Sequence, residues 1–251
     1  MRFLVIIQAR MGSSRLPGKV LKEISGKTAL ELMLERVSRS RLVDEVMVAT
    51  TINKEDVAIV NLASSLGYRV FVGSSDDVLD RYYQAARLIR PEYVIRLTSD
   101  CPLFDWRILD EAIESLESDT DDLCMLSETF PDGQDLEIVK FEVLEQAWKE
   151  AKLASEREHV TIFIKNRGDR FQLQDFKCKL GNLHDERWTL DESEDLEMIT
   201  AVYDAFYPRT DFSMEEIFEF LNENDHIRQI NSGIVRNEGL IKSLENDYVV
   251  E

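Results

Sequence analysis

Short apolar, β-branched runs alternate along the first half of the chain with stretches whose apolar residues recur at helical spacing. This is the pattern of an α/β fold with a mostly parallel sheet and helices on both faces. Arg2 to Ile7, Glu45 to Ala49, Arg69 to Val72, Tyr93 to Leu97 and Asp122 to Leu126 are expected as strands. Ala29 to Arg39, Lys54 to Leu66, Asp76 to Arg90 and Trp106 to Leu116 are expected as helices. In the third helix Val78, Leu79, Tyr82, Tyr83, Ala86 and Ile89 form an apolar stripe, with Asp76 and Asp77 in its first turn, where the helix dipole favours them. Beyond Pro131 the order changes to a strand Asp135 to Phe141, helices Glu142 to Lys152 and Ser155 to Lys165, strands Phe171 to Phe176 and Arg187 to Leu190, then helices. The expectation is one domain over 1–251, with a core over 1–130 and a C-terminal elaboration over 131–251.

A chain of 251 residues, 44% of them hydrophobic, can bury such a core. No apolar run approaches the roughly 20 residues needed to span a bilayer, and the opening FLVII lacks a small-residue cleavage site, so a cytoplasmic protein without a membrane partner is expected. Cys101, Cys124 and Cys178 are widely spaced and odd in number, which suggests neither a disulfide framework nor a zinc site.

Charge is unevenly spread. Residues 1–50 hold nine Lys/Arg against five Asp/Glu, leaving 21 against 44 in the remainder of a chain whose net charge is -19. So acidic a surface repels nucleic acid. The positive charge is concentrated in IIQARMGSSRLPGK, directly behind the first strand, where an open α/β sheet binds its ligands. Backbone N–H groups around Gly12, Ser13 and Ser14 can cradle phosphate oxygens, with Arg10 and Arg15 as forked grips and Lys19 as a point charge. SGKTAL contains the GKT of a P-loop, but Leu21 stands where that motif needs glycine, so it reads as a turn capping the next helix.

QARMGSSRLPGKVL resembles the nucleotide-binding signature of the cytidylyltransferases that make CMP-activated sugar acids, the CMP-sialate and CMP-Kdo synthetases. GSSDDVLDRYYQAA, RLTSDCPLFD, PDGQDLEIV, SEREHVTIFI, RWTLDESEDLEMI and NEGLIKSL are more similar to the SpsF-like branch, named after a spore coat polysaccharide biosynthesis protein. The resemblance implies a GT-A-like, Rossmann-like nucleotidyltransferase fold and a homodimer. It also implies CTP over the first loop, near Ala9, Gly12, Ser13, Ser14 and Ser99, and an acceptor oxygen attacking the α-phosphorus to expel pyrophosphate. Arg10, Arg15 and Lys19 would neutralise the phosphates.

Asp100 after YVIRL and Asp191 after RWTL are carboxylates at separate loops, and in similar synthetases these two positions bind magnesium. Asp191 also fits a helix capping box with Glu194. Ser74 and Arg81 lie where the family approaches cytosine, although Arg81 also suits an exposed pair with Asp77. An acceptor pocket is expected from Asp135 and Glu137, on one face of a strand, and from Arg157 and His159, with the acceptor a small acidic molecule. Two other functions stay open. One is a GT-A glycosyltransferase that consumes a nucleotide sugar, and the other is a catalytically silent nucleotide-binding subunit.

Overall fold

The computed structural model describes residues 1–117 and 120–250. Its strands are β1 (Phe3–Gln8), β2 (Glu23–Ile24), β3 (Lys27–Thr28), β4 (Glu45–Thr51), β5 (Arg69–Gly73), β6 (Tyr93–Thr98), β7 (Leu123–Leu126), β8 (Glu137–Lys140) and β9 (Leu173–Phe176). Its helices are α1 (Ala29–Val37), α2 (Val57–Ser65), α3 (Val78–Arg87), α4 (Trp106–Glu114), α5 (Phe141–Glu150), α6 (Ala154–Glu158), α7 (Ile162–Lys165), α8 (Ser193–Phe206), α9 (Met214–Glu223), α10 (Asp225–Arg228) and α11 (Glu238–Glu245).

Seven strands form one sheet in the order β5-β4-β1-β6-β8-β7-β9, and only β8 runs against the others. This is the expected mostly parallel, Rossmann-like arrangement. The period-2 rule explains how β1 is buried on both sides. Phe3, Val5 and Ile7 pack with α1, α2 and α4, whereas Leu4 and Ile6 pack with α3, α5 and α7. A third cluster joins Trp188 and Leu190 to α8 and α9.

Several sequence expectations need correction. The strand expected over Asp135 to Phe141 contracts to β8, so Asp135 lies in the loop before it. β8 is also interior, between β6 and β7, so it offers no exposed edge for a partner strand. The expected helix Ser155 to Lys165 is two helices, broken where Val160 takes a φ of 55°, a left-handed conformation costly for a β-branched residue. Arg187 to Leu190 is an extended segment with one bridge, Asp132 to Arg187, rather than a strand. In α3 Asp77 is the N-cap, accepting from the Asp80 N–H at 2.8 Å, and Asp76 precedes it. SGKTAL is a hairpin turn: Ser25 and Gly26 both have positive φ between β2 and β3, and Thr28 caps α1. The three cysteines are free and buried, and among the described residues no helix is long and apolar enough to cross a membrane.

Two buried charges hold these layers together. Arg36 of α1 is fully buried under the ring of Phe212 and donates to the carbonyls of Leu103, Phe104, Thr210 and Phe212 at 2.6 to 3.3 Å. It thereby joins α1 to the loop after β6 and to the α8–α9 connection. Glu137 of β8 accepts from Arg96 Nη1 at 2.8 Å, from Thr161 Oγ1 at 2.7 Å and from Lys165 Nζ. Burial opposes this carboxylate's charge, but Lys165 and Arg96 outweigh it and lower its pKa to about 2.

Replacing Arg36 by Ala leaves four carbonyls unbonded around a cavity. It is expected to cost on the order of 3–5 kcal/mol in urea unfolding. Because the folded pKa of Glu137 lies below its ordinary 4.5, its stabilisation is present above that value and is lost as pH falls toward 2. The stability gap between wild type and Glu137→Gln should therefore be constant near neutrality and narrow below about pH 4.5. A gap that does not change with pH in chemical denaturation would show that the ion pairs do not carry it.

Candidate active site

Parallel pairing sets the site. Gln8 at the end of β1 is in register with Thr98 at the end of β6, so the loop after β1 and the Ser99–Asp100 turn emerge side by side. The Ser99 N–H donates to Gln8 O at 3.0 Å. The β1 loop is pinned from its other flank by Asp56, a buried residue whose carboxylate accepts from the Met11 N–H at 2.7 Å and from Thr51 Oγ1. Gly18, at φ 67°, turns the chain left-handed into a single 3-10 turn that carries Lys19.

Within this loop the Ser13 and Gly18 N–H groups donate to Met11 O. Among the described residues, those of Gly12, Ser14 and Arg15 donate to nothing in the protein, which leaves them for a ligand. Arg10 is exposed and has no ion pair among the described residues, while Ala9 is buried and fixed by its N–H to Ala49 O. Arg15 Nη2 lies 2.8 Å from Asp191, and its Nη1 lies 3.5 Å from Glu192 and 3.6 Å from Glu238.

Lys19 is the centre. Its Nζ sits 2.7 Å from Asp100 Oδ2 and 2.6 Å from Asp191 Oδ1. The two carboxylates expected to bind a metal thus converge on one cation, although 91 residues separate them in sequence (191 − 100). Burial opposes both charges, but the pairing prevails, raising the Lys19 pKa and lowering that of Asp100 to about 2.

Asp191 is not the helix cap. The capping residue is Glu192, and Asp195 on the first turn of α8 accepts from the N–H groups of both Asp191 and Glu192 at 2.9 Å. That shift of one residue frees the Asp191 carboxylate for the cleft. Asp195 is fully buried and also takes both Nε and Nη2 of Arg187, at 2.9 and 2.8 Å, and Asn231 Nδ2 at 2.8 Å. Arg187 Nη1 reaches Asp132 at 2.9 Å. The Leu190 N–H donates to Asp100 O at 2.7 Å, tying the two carboxylate loops directly. Gly133 beneath this segment has a φ of 101°, and a Cβ there would come 2.6 Å from the Trp188 carbonyl carbon, so glycine is required. Asp56, Asp195, Arg187 and Asp132 were not singled out in the sequence; the only local signal was an acidic residue three positions into a helix.

Among the other predicted site residues, Arg81 is buried rather than an exposed partner of Asp77, and its Nη1 donates to Ser74 O at 2.7 Å. Arg157 is anchored by Asp77 at 3.2 Å and by Trp148 O at 3.0 Å. Burial lowers the pKa of His159 against the pull of Glu158, and its Nε2 has no hydrogen-bond partner among the described residues. Asp135 is accessible, but the surrounding protein desolvates it and raises its pKa. Asp132 is pushed up to about 7 by burial and by Asp135, against the pull of Arg187. Glu137, expected to contact the acceptor, is instead fully engaged with Arg96, Thr161 and Lys165 inside the protein.

The chain as a whole is similar to known proteins. Residues 4–227 match the family model described as Cytidylyltransferase. The chain is 36% identical over 239 residues to an uncharacterized protein of Methanocaldococcus jannaschii, covering 93% of this chain and 96% of that one. It is 33% identical to the spore coat polysaccharide biosynthesis protein SpsF of Bacillus subtilis, covering 88% and 94%. A solved cytidylyltransferase from Leptospira borgpetersenii superposes with a TM-score of 0.87 at 31% identity, over 91% of this chain and 97% of that one. With a matching family model and likeness over most of its length, the chain belongs to the cytidylyltransferase family.

Proposed function

We propose that this CTP-dependent nucleotidyltransferase transfers CMP to a small acidic acceptor, a sugar acid or related precursor of a surface polysaccharide. The observation that supports this best is the convergence of Lys19, Asp100 and Asp191 beside the unbonded loop amides. The acceptor hydroxyl oxygen bonds to the α-phosphorus, its proton passes to solvent water, and the bond from the α-phosphorus to the oxygen bridging the α- and β-phosphates breaks to release pyrophosphate. Arg10, Arg15 and Lys19 hold the β- and γ-phosphates, with the N–H groups of Gly12, Ser14 and Arg15 directed at their oxygens. Such transfer needs positioning and charge neutralisation more than covalent help.

Magnesium fits the site, because the ammonium of Lys19 stands as a cation between two hard carboxylate oxygens. Asp100 and Asp191 would hold the ion, which supplies neutralisation of phosphate charge. For the acceptor, His159 Nε2, which has no hydrogen-bond partner among the described residues, and the anchored Arg157 offer polar contacts, as does the exposed Asp135. Ser74 and the buried Arg81 shape the base side, with Ser99 beneath the loop. The link to surface polysaccharide rests on the likeness to SpsF.

Asp100→Asn and Asp191→Asn should each lower kcat by about a hundredfold or more while leaving the fold intact. Full turnover in both variants, with CTP and a panel of sugar acids, would remove the metal reading. A cytosine-selective site leaves buried groups unpaired with any other base, at about 1–3 kcal/mol each. CTP with magnesium should therefore raise Tm more than UTP, ATP, GTP or any nucleotide sugar. A larger rise with a nucleotide sugar would favour a glycosyltransferase, and no rise with any nucleotide would favour a silent subunit.

A further inference from the structure

Two of the three loop cations proposed for substrate, Arg15 and Lys19, are already paired inside the protein. Lys19 bridges Asp100 and Asp191, and Arg15 reaches Asp191, Glu192 and Glu238. We propose that Lys19 occupies the divalent-cation position of the nucleotide-free enzyme and gives up Asp100 and Asp191 only when a triphosphate takes its ammonium, so that metal and nucleotide bind as one coupled event. This rests on the metal reading above.

Two cations compete for one set of oxygens. The ammonium lies within hydrogen-bond distance of an oxygen from each carboxylate, and a divalent ion between the same carboxylates would crowd it with like charge. The Lys19 side chain is only 12% exposed, so leaving the carboxylates without a new anion would strand a largely buried charge. Arg15 offers no relief, being cationic itself and already paired. A triphosphate supplies the missing anion. Nor can the protein hold the metal alone: among the described residues no three His, Cys, Asp or Glu side chains gather as a cage, so further coordination must come from water and phosphate oxygens. Linkage is reciprocal, and a metal that needs the nucleotide to free its ligands strengthens nucleotide binding by the same factor.

The test uses manganese as probe, followed by electron paramagnetic resonance, on full-length protein without nucleotide. Lys19→Met removes the competing charge and should bind manganese about tenfold or more tightly than wild type, within the usual range of coupling factors. Adding Asp100→Asn to Lys19→Met should abolish that gain. Manganese alone should raise the Tm of Lys19→Met but not of wild type; Lys19→Gln provides a second uncharged variant should Lys19→Met fold poorly. Equal nucleotide-free affinity in wild type and both Lys19 variants would overturn the exchange. If manganese still joined wild type with CTP in an Asp100-dependent way, the metal reading would survive that loss. If Asp100→Asn altered manganese binding in no state, both would fall.

Discussion

The parallel pairing of β1 with β6, in register from Phe3–Tyr93 to Gln8–Thr98, is the constraint on which the site depends. It ends two strands at one level and so sets the cationic loop against the Asp100 turn. Residues 9–19 contain no regular structure before the 3-10 turn, and their shape comes from neighbours: Ala49 O, the Asp56 carboxylate and the end of β1. A one-residue slip between these strands would invert their faces and move both loops.

The second layer consists of buried charge. Asp195 accepts from two backbone N–H groups, both forks of Arg187 and Asn231, and so fixes the turn on which Asp191 sits. A buried ion pair contributes little net stability over an apolar core, whereas its directional hydrogen bonds specify one geometry. The same logic applies to Glu137, whose three donors come from β6 and from the segment around α7. The strained Val160 belongs to this arrangement: breaking the helix there turns Thr161 and Lys165 toward Glu137.

The protein is strongly acidic, yet its ligand loop is basic, and the structure shows how these coexist. Its own carboxylates neutralise the loop cations Arg15 and Lys19, while Arg10 remains exposed. A triphosphate therefore exchanges one set of anionic partners for another, so affinity reports a difference between two paired states. The C-terminal segment takes part through Glu238 near Arg15, and it returns to the body where Ser155 donates to Asp247 and the Val250 N–H to Lys152 O.

The alternation of apolar runs determined the α/β class, because burial on both faces of β1 and β6 demands continuous β-branched strands flanked by amphipathic helices. Local motifs likewise placed the loop cations after β1 and Asp100 after β6, whereas Asp191 follows an extended segment that is not a strand. Other features had no local signature. The insertion of β8 between β6 and β7, the break at Val160 and the shift of the α8 cap from Asp191 to Glu192 depend on partners 24 to 55 residues away or on which neighbour fills a buried space. The sequence by itself determined which charges the site could use. Only the tertiary structure decided which of them meet, because ion pairing at 3 Å depends on chain crossings that no local spacing encodes.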